Sequence, residues 1–358
     1  MLSEFIRSEL EELRRASLLR EPRVIERVRG PYVTIDGREL LCFCSNDYLG
    51  IGQDRELAAP AEQAIRDFGW GSGSSRALSG TSSVHDALEK AIAAFKRTPA
   101  ALLFPSGYMA NVGLITSIAD RDTLIVSDEL NHASLIDACR LSRARVEVYP
   151  HGGVAAAARL LQIEAKRKFV LTDTVFSMDG DLAPLEALRG LGADVVVDDV
   201  HGLGVFGPDG RGCVDVPIQT GNLAKAAGSV GGFVAGSEDL IALLKSRARS
   251  FLFTTSPPAA VCAAGLAALR RLATAGKERA KLWENIRLLG AKSPIHTILL
   301  GSNERALEAS RALFELGFFV PAIRPPTVAP GTARLRITVT AMHEREHLEA
   351  LLQALRKI

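Results

Sequence analysis

The sequence is poor in cysteine, carries no excess of charge of either sign, and contains no long hydrophobic run. Its 5 cysteines among 358 residues (Cys42, Cys44, Cys139, Cys213 and Cys262) are odd in number and scattered. None forms a Cys-x-x-Cys pair, so neither a disulfide framework nor a zinc ribbon is expected, and a reducing cytoplasm is the expected compartment. Lysine plus arginine (43) nearly balances aspartate plus glutamate (41), a net +2. That leaves no broad basic field to hold nucleic acid or an anionic membrane. The most apolar stretch, 259–269, follows Pro257-Pro258 and falls well short of the roughly 20 residues that a membrane span needs. The opening MLSEFIRSELEELRRASLL alternates charge with apolar residues at helical spacing. It reads as an amphipathic helix and not as a secretory signal. With 47% hydrophobic and 23% charged residues, the composition is that of a soluble globular chain and excludes extensive disorder.

What is present is an alternation. Short apolar runs at 100–104, 123–127, 145–149, 169–173 and 194–198 predict strands, and helical stretches at 84–96, 109–118, 134–141, 154–164 and 183–188 lie between them. Such alternation predicts an α/β fold with a mostly parallel sheet flanked by helices. After about residue 250 the pattern changes to a long Ala/Leu helix (259–273), an isolated strand (297–300), a helix (303–316), strands near 318–322 and 334–338, and a last helix (344–356). The expected organisation is a large α/β domain over 46–255 and a smaller α+β domain over 256–358. Residues 1–45, with a hairpin around Asp36-Gly37, are expected to pack with the smaller one.

Two familiar patterns point to no chemistry here. His343-Glu344-Arg345-Glu346-His347 matches the H-E-x-x-H zinc pattern. Few residues remain after it to supply a third ligand, and the apolar stripe Met342, Leu348, Leu351, Leu352 and Leu355 leaves the imidazoles on or beside the wet face. Gly202-Leu203-Gly204-Val205-Phe206-Gly207 fits G-x-G-x-x-G, but Pro208-Asp209-Gly210 follows where a helix must start. A nicotinamide site is therefore not expected, and the glycines mark an irregular loop.

Ligands on such a sheet bind beyond the carboxyl ends of the strands, and the residues there are informative. After 100–104 come Ser106-Gly107-Tyr108, a turn entering a helix; its free N–H groups suit a phosphate, though the turn alone reads equally well as a plain connection. The run 194–198 ends in Asp198-Asp199-Val200-His201. A carboxylate closing a Val-Val-Val run is expected to be buried and to need a cationic partner, such as a protonated pyridine nitrogen; a helix cap is the plain alternative. Further on, Lys225 stands among small residues in Asn222-Leu223-Ala224-Lys225-Ala226-Ala227-Gly228. A lysine so flanked lets a bulky ring approach its amine, which forms a Schiff base once its pKa is lowered. Asp, His and Lys in this order, with a phosphate turn upstream, form the layout of a pyridoxal-phosphate (PLP) enzyme.

At this point the chain resembles the α-oxoamine synthases of PLP-dependent aminotransferase fold type I, from about Arg20 to the C-terminus. The resemblance rests on Ser45-Asn46-Asp47-Tyr48-Leu49-Gly50, Gly71-Ser72-Gly73-Ser74-Ser75-Arg76, Asn131-His132-Ala133-Ser134, Phe176-Ser177-Met178-Asp179-Gly180-Asp181, Asp198-Asp199-Val200-His201-Gly202, Lys225-Ala226 and Ile323-Arg324-Pro325-Pro326-Thr327-Val328. It implies that Lys225 holds pyridoxal 5'-phosphate and moves the α-proton. Asp198 would pair with the ring nitrogen, His201 with the ring oxygen, and His132 would contact the ring face. Gly107, Tyr108 and Ser177 would complete the cofactor site. Arg336 would grip the amino-acid carboxylate, with Asn46 nearby, and Arg20, His132 and Thr327 would bind substrate; no metal is implied.

The branch implied most strongly condenses L-alanine with a pimeloyl thioester, on coenzyme A or a carrier protein, releasing CO2 in biotin biosynthesis. Glycine C-acetyltransferase, 5-aminolevulinate synthase and serine palmitoyltransferase chemistry are the alternatives, and a non-catalytic interaction protein on the same scaffold is another. A homodimer is implied, with residues 71–81 contributing. The chain departs from the family pattern at Asn222, where threonine is usual, and at Val200, Ser74 and Asp173. The segment leading to Lys225 and that between Lys281 and Thr297 read as shortened.

Overall fold

The computed structural model describes residues 1–358. By contacts the chain divides into a larger unit, Asp47–Ser177 with Asp181–Arg279, and a smaller unit, Met1–Asn46 with Met178–Gly180 and Ala280–Ile358.

The larger unit is built on a 7-stranded sheet in the order Ala100–Phe104, Gly232–Gly236, Ile218–Asn222, Asp194–Asp198, Arg167–Asp173, Thr123–Asp128 and Arg145–Tyr149. Only Gly232–Gly236 runs antiparallel to its neighbours. Continuous apolar runs are what a sheet covered on both faces demands, and successive side chains feed opposite cores. Ile125, Leu171 and Val196 enter one cluster with Phe104, Leu114 and Phe251. Leu124, Val126, Val170, Val195 and Val197 enter the other, with Leu161 and Leu188. Each such buried side chain is worth about 1.5–3 kcal/mol relative to exposure.

The strands Ile218–Asn222 and Gly232–Gly236 escape a reading by hydrophobic pattern. Ile-Gln-Thr-Gly-Asn and Gly-Phe-Val-Ala-Gly are short on the β-branched residues that mark a strand, and packing between neighbours decides them instead. The Ile218–Asn222 strand leading to Lys225 is paired on both edges.

The boundary expected at 255/256 lies further along the chain. The helix Ala259–Thr274 belongs to the larger unit, because its face of Ala259, Ala260 and Ala263 packs on Ala64 of the helix Ala58–Phe68. Small side chains let the helices approach closely.

The loop bearing the G-x-G-x-x-G pattern wraps a buried ion pair. Lys96 Nζ donates to Asp199 Oδ2 (2.6 Å) and to the Arg211 carbonyl (2.7 Å). Asp199 also accepts from Thr174 Oγ1 and the Cys213 N–H. A Cβ on Gly202 would lie 2.0 Å from Asp199 Oδ1, so the glycine is needed for this approach. With side-chain exposures of 0% and 2%, neither charge can turn to water. Lys96→Met is expected to cost about 3–5 kcal/mol by leaving the carboxylate uncompensated; a melting temperature equal to wild type would contradict this.

In the smaller unit, Ile295–Gly301, expected to be isolated, pairs with Ala333–Thr338, which also pairs with Ala322–Ile323. The single strand expected near 318–322 is two short strands in different sheets. Phe318–Phe319 joins the hairpin strand Arg38–Cys42, and Pro321, which has no N–H to offer a ladder, separates it from Ala322–Ile323. No single helix of the chain is long and apolar enough to cross a membrane.

The H-E-x-x-H imidazoles need a correction. The last helix starts at Arg345 with Glu344 as its cap, so His343 precedes it. Far from lying beside the wet face, His343 is fully buried and stacked on Phe43 (centroids 4.2 Å apart). Its Nδ1 accepts from the Thr340 N–H and its Nε2 meets the Cys42 carbonyl. Burial, then the neighbouring His347, pushes its pKa down to about 4. His347 meets Tyr32 Oη through Nε2 and the Glu344 N–H through Nδ1. Both rings are spent on packing and local hydrogen bonds.

Candidate active site

Within the larger unit, the turns after the strands converge on one cavity of about 380 Å³, counting its open mouth. Its walls include Gly107, Tyr108, His132, Ser177, Asp198, His201 and Lys225, which are the residues the resemblance places around a cofactor. Topology brings them together: side-by-side parallel strands end at the same edge, so residues far apart in sequence share one rim.

Asp198 ends its strand at 5% exposure. Its Oδ2 accepts from Asn111 Nδ2 (2.7 Å) and its Oδ1 from the Val200 N–H (3.0 Å). Asn111 is itself held: Thr220 Oγ1 donates to its Oδ1 (2.7 Å), and its Nδ2 also donates to Ser134 Oγ (2.8 Å). With its oxygen so occupied, the amide can only present N–H to Asp198. Burial nevertheless pushes the Asp198 pKa up, against the pull of Asn111. Asp173, also in the wall, is driven well above the ordinary range by burial and by the Asp198 charge. Burial thus opposes the ionised form of Asp198, and positive charge on the His132 side favours it.

His132 caps the helix Ala133–Ser142, its Nδ1 accepting from the Ser134 N–H (3.2 Å) and meeting Ser134 Oγ (2.8 Å). Its backbone N–H donates to Asp173 Oδ2 (2.8 Å). Asn131 anchors the turn by donating to the Leu171 carbonyl and Ser127 Oγ. His201 Nδ1 meets the buried Tyr48 Oη at 2.6 Å. These contacts fix the direction of each imidazole.

Lys225 is half-buried in a loop closed by the bonds Gly228 N–H to Lys225 carbonyl and Ser229 N–H to Leu223 carbonyl, both 2.8 Å. Asn222 turns its Oδ1 back to the Ala224 N–H (3.0 Å). Its Nδ2 would lie 3.2 Å from a Cβ placed on Gly107, so the absence of that Cβ keeps the helix start Gly107–Ile118 open toward the cavity. The Tyr108 hydroxyl donates to Asp137 (2.8 Å).

These groups fit pyridoxal phosphate. A buried carboxylate that nearby positive charge stabilises suits a pyridinium, an amine in the same wall suits an aldehyde, and an open helix N-terminus suits a phosphate. Sequence reading missed Asn111, Thr220, Ser134, Asp173 and Tyr48. Tyr48 and Ser134 carried a signal as parts of quoted motifs, and Asp173 only as a departure from the family pattern; Asn111 and Thr220 are ordinary polar residues until the strands are assembled.

Of the expected substrate residues, His132 lies in the larger unit, and Arg20, Asn46, Thr327 and Arg336 lie in the smaller one. Arg336, at 5% exposure, donates to Thr338 Oγ1 (2.9 Å) and Asn46 Oδ1 (3.2 Å). Arg20 Nη2 donates to the carbonyls of Arg324 and Pro325, both 2.9 Å. The Thr327 N–H bonds the Arg324 carbonyl, and its side chain is exposed.

The family model for aminotransferase class I and II matches residues 38–355. An 8-amino-7-oxononanoate synthase of Marinobacter nauticus is 45% identical over 98% of this chain and 95% of its own length. The enzyme of the same name from Geobacter sulfurreducens is also 45% identical, over 99% and 97%. Among solved structures, a serine palmitoyltransferase variant from S. paucimobilis with bound PLP and myriocin superposes with a TM-score of 0.93 at 30% identity, covering 100% of this chain and 98% of that one. An 8-amino-7-oxononanoate synthase from Francisella tularensis superposes with a TM-score of 0.78 at 27% identity, covering 89% and 97%.

Proposed function

Because the chain belongs to the aminotransferase class I and II family, we propose that it is a PLP-dependent 8-amino-7-oxononanoate synthase, joining L-alanine to pimeloyl-CoA or a pimeloyl carrier protein with loss of the thiol and CO2. The single observation that carries the reading is that Lys225, Asp198, His132 and His201 wall one cavity, in a chain 45% identical to enzymes of that name.

Pyridoxal phosphate supplies the electron sink for the pair left on the alanine α-carbon. Lys225 would hold the group through Nζ, and its amine would take the α-proton. Asp198, kept in place by Asn111, holds the ring nitrogen protonated. His201, steadied by Tyr48, would donate to the ring oxygen, and His132 would contact the ring. Gly107, Tyr108 and Ser177 hold the phosphate and ring substituents. Arg336, whose fork is oriented by Thr338 and Asn46, grips the alanine carboxylate.

Arg20 and Thr327 bind the acyl substrate, Arg20 pairing with its distal carboxylate. Arg20→Ala is expected to raise KM for pimeloyl-CoA about tenfold, the loss of one charge-assisted hydrogen bond, with little change for alanine. An unaltered KM would remove Arg20 from the site.

The deciding assay pairs alanine, glycine and serine with pimeloyl-, acetyl-, succinyl- and palmitoyl-CoA, following released thiol. Turnover led by alanine with pimeloyl-CoA supports the proposal; turnover led by serine with palmitoyl-CoA would replace it. The latter reading has the TM-score of 0.93 in its favour, but at 30% identity it is the more distant resemblance. The enzyme would act in the cytoplasm as a homodimer, to which residues 71–81 contribute.

A further inference from the structure

We propose that Cys42 and Cys44 form a peroxide-oxidisable dithiol, and that their disulfide weakens the amino-acid site at Arg336. The second half rests on the role given to Arg336 above. In extended chain, residues two apart point to the same side, and here the strand Arg38–Cys42 ends so that the two sulfurs stand 3.6 Å apart. Nothing needs to unfold for them to meet: closing to the roughly 2.0 Å of a disulfide is a movement of less than two ångströms. The other cysteines stand at Cys139, Cys213 and Cys262, and none of them makes a sulfur–sulfur contact of this kind.

The two thiols are unequal. The hydrogen bond between the two sulfurs brings the Cys42 pKa down from 9.0 to about 7, while the same contact and burial raise that of Cys44. Cys42 is therefore the more readily ionised of the two, and the thiolate is the form that attacks peroxide. Cys44 is the more exposed of the two and gives a small oxidant its approach.

The chemistry balances with hydrogen peroxide as the oxidant. The Cys42 thiolate attacks one peroxide oxygen, the O–O bond breaks, and hydroxide leaves as water, giving a sulfenic acid. The Cys44 sulfur then attacks the Cys42 sulfur, the S–O bond breaks, and a second water leaves. The thiols lose two electrons in total and the peroxide gains them.

The consequence follows from position. Asn46, two residues beyond Cys44, accepts from Arg336 Nη2 at 3.2 Å, and the Arg336 charge already acts on the Cys44 thiol. Drawing Cys44 toward the strand end drags this segment and lengthens a bond that has little length to spare.

The test treats the holoenzyme with hydrogen peroxide, blocks remaining thiols with an alkylating agent, and maps peptides by mass. The expected result is an internal Cys42–Cys44 disulfide, reversed by dithiothreitol, together with a roughly tenfold rise in KM for alanine that reverses with it. Cys42→Ser and Cys44→Ser, each compared with itself before and after peroxide, should show neither change. Alkylation of both cysteines after treatment would overturn the proposal, and a disulfide that leaves the alanine KM unmoved would overturn its second half. Since the disulfide is read by mass, a chain that forms it without any alanine-dependent turnover would sink the functional reading and leave the dithiol standing.

Discussion

Lys225→Ala is expected to lower turnover by roughly 10³-fold or more, because a positioned side chain that moves a proton contributes about 10²–10⁴ by itself and in the proposed function this one also anchors the cofactor. The variant should fold. Lys225 is half-buried in a loop of small residues closed by backbone bonds, Gly228 N–H to Lys225 carbonyl and Ser229 N–H to Leu223 carbonyl, that do not involve its side chain. Two readouts keep stability apart from chemistry. The melting temperature of the variant should stay within a few degrees of wild type. Borohydride reduction of the wild-type holoenzyme, followed by peptide mapping, should place the label on Lys225 and leave the variant unlabelled. A label on another lysine, or a variant that turns over normally, would end the assignment.

Asp198→Asn should be the second most damaging change, with kcat down by roughly 10²–10³-fold, the equivalent of about 3–4 kcal/mol. The scale is that of removing one partner from a buried charge pair. An asparagine keeps the size and one oxygen to accept from Asn111 or the Val200 N–H, so the fold has little reason to suffer. What is lost, in the proposed function, is the negative charge beside the ring nitrogen, and with it the proton that makes the ring an electron sink. The absorbance of bound cofactor should respond as well, its titration moving to lower pH because the protonated ring loses its counter-charge. Unchanged kcat with an unchanged spectrum would show that the carboxylate faces something else.

Much of this was legible from the chain alone because the signals are local. The runs 123–127, 169–173 and 194–198 are apolar enough to read as buried strands, and the helices between them follow from their period; the structure adds Asp128 to the first run, and Ser106 caps a helix that begins at Gly107, two residues before the expected start. Lys225 among small residues, and Asp198 closing a Val-Val-Val run, stand out through their immediate neighbours, though on sequence alone a helix cap is the plain alternative for Asp198. The ordered motifs from Ser45-Asn46 to Thr327 did the rest, and the matches to aminotransferase class I and II and to 8-amino-7-oxononanoate synthases agree with them.

The remainder depends on partners brought from far along the chain. His201 is steadied by Tyr48, 153 residues away, and Asn111 is aimed by Thr220, 109 residues away; no periodicity links such pairs. Strand order does, by setting Ile218–Asn222 beside Asp194–Asp198 and bringing both to the same rim. The misplaced imidazole of His343 teaches the same lesson. Its motif promised a helix face, but stacking on Phe43 and the Cys42 carbonyl put it in the core. Residue types and local periods decided which groups this protein possesses and which segments carry them. Tertiary structure alone decided how those groups are aimed, because burial and hydrogen-bond direction are properties of neighbours in space and not of neighbours in sequence.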